Sequence, residues 1–211
     1  MTVFITHCCK SARVESLGYL LCAFLAWGFP RLALAQAAGA ELYQLQIERA
    51  GDSVLLSATT RFELPPAVED ALLKGIPVIF VAEAELARER WYWTNKRVAS
   101  AERHMRLAFL PLTRRWRLNI ASGPITITGL GLALTQNFDA LPEAMAAVQR
   151  ISRWKIADAS ELDLSQRHVL QFRFRLDVTQ LPRPLQIGTL GDTGWDLAVS
   201  ATRPVQLEPV R

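Results

Sequence analysis

Arg103-His104-Met105-Arg106-Leu107-Ala108-Phe109-Leu110-Pro111-Leu112-Thr113-Arg114-Arg115-Trp116-Arg117-Leu118-Asn119-Ile120 is the stretch that decides the fold class. Met105, Leu107 and Phe109 recur at every second position, and so do Trp116, Leu118 and Ile120. A period of two is the mark of a strand with one face buried. A short loop at 111–114 sets Phe109 opposite Trp116 and Leu107 opposite Leu118. That register puts the large apolar side chains on one side, whereas a one-residue slip would turn them to water. His104, Arg106, Arg115 and Arg117 fall on the polar side.

The same alternation recurs on both sides of this hairpin. Tyr43, Leu45 and Ile47 lead to a turn at Ala50-Gly51-Asp52, and Val54, Leu56, Ala58, Thr60 and Phe62 follow with one face buried. Pro66 opens a short helix from Ala67 to Lys74, which Gly75 closes. Residues 76–86 form a strand with Val78, Phe80, Ala82, Ala84 and Leu86 inward and Glu83 and Glu85 on the other face. An extended segment spans Ile125 to Leu134, with Gly129 at a bend. Leu141–Ser152 reads as a helix with Asp139 as N-cap and Met145, Val148 and Ile151 as its stripe. His168 to Val178 alternates as a strand, and a proline-rich connection at 181–185 precedes a last strand near Trp195 to Ser200. The expected fold is mainly β: an antiparallel β-sandwich or a two-layer antiparallel sheet, with two short helices.

The first 35 residues have the three parts of a secretory signal peptide. Lys10 and Arg13 supply positive charge, Leu17–Phe29 is apolar and uncharged, and Ala33-Leu34-Ala35 offers small residues at a peptidase site. The apolar run falls short of the roughly 20 residues a spanning helix needs. Cleavage between Ala35 and Gln36 is expected, leaving one β-rich domain over 36–211 in the periplasm or secreted. Leu21 before Cys22 argues against a lipoprotein anchor. Cys8, Cys9 and Cys22 all leave with the signal, and with them disulfide and thiolate chemistry. The formal charge falls from +4 to +2, which gives no argument for a nucleic-acid partner.

No catalytic constellation emerges, and no metal or cofactor is expected. Asp192-Thr193-Gly194 matches the core of an aspartic-protease motif, but that chemistry needs two such carboxylates and the chain has one copy. His104 and His168 have no histidine or cysteine at ligand spacing, and structural or solvated roles are expected for both. Gly129-Leu130-Gly131 is too short for a dinucleotide loop. The most distinctive segment is Arg88–Arg97. There Arg90, Trp91, Tyr92, Trp93, Lys96 and Arg97 interleave cations with aromatic rings, a pattern suited to stacking and cation–π contacts with a partner. In the competing structural reading, Trp91 and Trp93 roof the core. Arg106, Arg115, Arg117, Arg173 and Arg175 form a second basic set, which Glu83, Glu85 and Glu102 neutralise by cross-strand pairing.

Five stretches, in order along the chain, resemble a DUF4390-type family of exported proteobacterial proteins, a domain of unknown function. They are Phe62–Leu72, Gly75-Ile76-Pro77, Arg88–Trp93, Ser152–Asp158 and Leu181–Gln186. Thr94-Asn95 stands where the resemblance implies an acidic residue. The resemblance implies no activity and no catalytic residue. By genomic association only, it implies a link to a membrane sensor histidine kinase. The expected function is a non-enzymatic periplasmic binding or interaction module, linked to envelope signalling. The alternative is a carrier of an apolar small molecule or lipid, and a third reading is a hydrolase using His104 or His168.

Overall fold

A computed structural model describes residues 40–89, 95–124, 134–163, 166–181 and 195–205. Strands β1 (Glu41–Ala50) and β2 (Ser53–Arg61) form a hairpin closed by Gly51-Asp52, with Gly51 at a φ of 58°. Helix α1 (Pro66–Leu73) follows, then β3 (Val78–Arg88), β4 (Lys96–Leu110), β5 (Arg115–Ala121) and β6 (Leu134–Phe138). Helix α2 (Leu141–Gln149) runs directly into β7 (Arg150–Asp158) and a single 3-10 turn, Ala159–Glu161. Strands β8 (His168–Asp177) and β9 (Ala198–Val205) complete the described elements.

The strands make two antiparallel sheets, ordered β1-β2-β7 and β6-β5-β4-β3-β8-β9. The expected antiparallel, two-layer, mainly β fold is therefore correct. Phe109 faces Trp116 and Leu107 faces Leu118, as the hairpin pattern requires. One continuous core joins the inward residues of both sheets to Val68, Ala71 and Leu72 of α1 and Ala144, Met145 and Val148 of α2. Phe62, Phe80 and Phe174 meet at its centre with ring centroids 5.5–5.9 Å apart. Arg103, on the inward face of β4, lies over Trp154 of β7 at 5.2 Å and ties one sheet to the other. Burial lowers its pKa.

Four expectations need correction. The helix expected to reach Ser152 stops at Gln149, because Gln149 donates to the Phe62 carbonyl (2.8 Å) and accepts from Thr60 (3.3 Å), latching the chain beside β2. From there it pairs with β2 as a strand, so Ile151 belongs to β7. Asp139 does not cap that helix; its side chain pairs with Arg115 at 3.0 Å. Tyr43 does not join the buried stripe either. A bulge between Leu42 and Gln44 turns it outward, 72% exposed, with the Arg61 guanidinium 5.1 Å from its ring. The last strand begins at Ala198, three residues later than Trp195. Residues 125–133, which include Gly129-Leu130-Gly131, lie outside the described residues.

Candidate interaction surface

Alternation along β3 and β8 sends Glu83, Glu85, Gln171, Arg173 and Arg175 to the outer face of the six-stranded sheet. Pairing sets Glu83 beside Arg173 and Glu85 beside Gln171. Glu83 accepts from Arg175 Nη2 at 3.0 Å and Nε at 3.3 Å, with Arg173 at 3.9 Å, and Arg97 reaches Glu85 at 2.9 Å. Between them lies a depression of about 100 Å³ lined by Glu83, Glu85, Gln171 and Arg173. Of the expected basic set, Arg173 and Arg175 are neutralised by Glu83, whereas Arg115 pairs with Asp139, Arg117 bonds to Asn137, Glu85 takes Arg97 and Glu102 lies beside His104. Ion pairs this open to water contribute only about 0–1 kcal/mol each. Stability does not explain why the charges gather here.

Bordering this face, Asp177 is buried in a knot at the end of β8. Burial pushes its pKa up, but Thr179 Oγ1 (2.6 Å), Thr179 N (3.0 Å), Gln180 Nε2 (3.2 Å) and the Arg175 charge outweigh burial, and the carboxyl titrates below its usual range. A depressed folded-state pKa stabilises the protein fully above the unfolded value of about 3.9, and that contribution is lost as pH falls through the lower folded value. Asp177→Asn is therefore expected to lower the thermal midpoint at neutral pH and to flatten its fall in acid, checked by melting the two proteins from about pH 5 downward. Parallel acid limbs would contradict this.

Both histidines, expected in structural or solvated roles, are buried. His104 is 6% exposed, its Nε2 a long 3.4 Å from Glu102. His168 is 1% exposed, and neither of its ring nitrogens has a hydrogen-bond partner. Its parity with Leu170 and Phe172 had shown which face it occupies, but not that it would be sealed in. Opposite His104 on the outer face stand Val81 and Ala121, so no hydroxyl or thiol faces it across the strands. Among the described residues no group of three metal-ligating side chains occurs, and no helix is long and apolar enough to cross a membrane.

Of the expected binding set, Lys96 and Arg97 open β4 and both are exposed. Arg90, Trp91, Tyr92 and Trp93 lie outside the described residues, as does Asp192-Thr193-Gly194. A family model matches residues 37–204, which takes in both sheets and the whole outer face. The chain belongs to the family described as a domain of unknown function, DUF4390. No curated protein and no solved structure matches it.

Proposed function

We propose that this protein is a non-enzymatic binding module of the bacterial envelope, which engages a protein partner through the outer face of its six-stranded sheet. The observation that carries the reading is the partly exposed charged row of Glu83, Glu85, Arg97, Arg173 and Arg175 on the outer sheet face. Complementary charge of this kind steers association and fixes register more than it stabilises a fold. Among the described residues, depressions of about 100 Å³ here and about 250 Å³ beside Trp195 and Leu197 are small against the roughly 300–1,000 Å³ of small-molecule pockets. The phenylalanines also fill the space between the sheets that an apolar cargo would need. Both points favour a macromolecular partner over the carrier.

Export follows from the reading of residues 1–35 as a cleaved signal, and the family resemblance makes a membrane sensor kinase the partner to try first. The test is capture from envelope membranes by the exported protein, whose first residue is expected to be Gln36. The Glu85→Gln/Arg173→Gln pair should lose about tenfold in capture of a specific protein, the worth of one strong polar contact, with its melting point little changed. Equal capture by the variant would remove this face from the proposal.

A further inference from the structure

The two faces of the six-stranded sheet carry different charge. On the outer face acids accompany the bases: Glu83 pairs with Arg173 and Arg175, Glu85 with Arg97, and Asp177 lies near Arg175. On the inner face, pairing sets Lys96 opposite Arg88, Arg88 opposite His168 and His168 opposite Val205, a single row across β4, β3, β8 and β9. One row further in, Arg203 stands beside Leu170. Directly opposed side chains leave the backbone roughly 5 Å apart and diagonal neighbours roughly 7–8 Å apart. Lys96, Arg88, His168 and Arg203 therefore share one face across four neighbouring strands, with His168 buried among them. No aspartate or glutamate shares this face in any described strand of the sheet. Among the described residues, Arg88, Lys96 and Arg203 form no ion pair.

His168 supplies an independent observation. A buried polar atom is normally satisfied, and an unsatisfied one calls for an explanation. Imidazole carries at least one N–H in every protonation state, so it can always donate to an anion. Its neighbours across the strands are a guanidinium and, one place beyond, an ammonium, both donors with no acceptor to offer it. The shared deficit of all four groups is negative charge bearing oxygen acceptors. Guanidinium matches such a group with two parallel hydrogen bonds.

We propose that the inner-face row Lys96–Arg88–His168, with Arg203, is a binding site for a phosphate-class anion, either free or as a lipid headgroup. The site is on the opposite side of the sheet from the outer charged face and does not depend on that face binding a partner. Its probe is the imidazole spectrum of protein produced from the full chain with isotope-labelled histidine, with His104 on the other face as internal control. Inorganic phosphate is titrated first. Vesicles of phosphatidylcholine containing phosphatidylglycerol are then compared with vesicles of phosphatidylcholine alone.

The His168 signals are expected to move with phosphate, with the anionic vesicles, or with both, while His104 stays still. Response to phosphate alone assigns a free anion; response to the anionic vesicles alone assigns a headgroup. Arg88→Gln and Arg203→Gln, at sites not fully buried, should each weaken the response about tenfold. Arg117→Gln on the outer face should leave it unchanged. Silence of His168 toward both probes would overturn the assignment. So would an Arg88→Gln protein that responds like the parent, or a His104 shift equal to that of His168.

Discussion

Phe174→Ala is expected to remove about 4 kcal/mol of folding stability, the middle of the range for emptying an aromatic site in a packed core. Phe174 is completely buried, with Phe62 at 5.5 Å and Phe80 at 5.9 Å. Its neighbours include Phe62, just past the end of β2, and Phe80, near the start of β3. They cannot all collapse into the vacated space, so the cost includes a cavity as well as lost burial. Against a total margin of about 5–15 kcal/mol the loss is severe. With a urea slope of about 2 kcal/mol per molar, the unfolding midpoint should fall by about 2 M. Leu112→Ala, at a hairpin tip 101% exposed, should stay within about 0.5 kcal/mol and serves as the control. A Phe174→Ala loss under about 1 kcal/mol would mean that the two sheets do not share one core.

Trp154→Ala is the second large effect, at about 3 kcal/mol. It has two sources that a double-mutant cycle separates. The indole fills the core beside Leu56, its partner on β2, and its ring also faces the Arg103 guanidinium. Removing the ring leaves a partly desolvated cation with nothing beneath it. Arg103→Ala alone should cost less, and the two changes together should cost about 1 kcal/mol less than their sum. Strict additivity would show that the ring and the cation are merely neighbours.

How much of this was legible in the sequence depends on bulges. Where a strand is regular, alternation maps straight onto burial: Val78, Phe80, Ala82, Ala84 and Leu86 are all inward, and the β4–β5 register is the expected one. In β7 the pattern fails, because Arg153 takes a φ of 45° and the register slips between Leu56 and Ala58. Ile151 and Trp154 then both face inward although three residues apart, and a spacing of three imitates a helix. The candidate sites divide in the same way. Glu83, Arg173 and Arg175 sit on regular strands, so their pairing was foreseeable. The inner basic row was not: a bulge skips Val98, so Arg97 reaches Glu85 outside while Lys96 stands opposite Arg88 within. Simple parity counted back from Ala99 would assign those two residues the other way round.

The bulges at Tyr43 and Arg153 have one more effect. They lie in β1 and β7, the two outermost strands of the three-stranded sheet. An outermost strand that is straight offers a row of free N–H and C=O groups, a template on which a second molecule can lay down a strand and begin a fibril. Each kink interrupts that row, and charged side chains line β7: Arg150, Arg153 paired with Glu48, and Lys155 paired with Asp158. The small sheet is built to resist self-association, and a change that straightened β7 would be felt first as aggregation at high concentration.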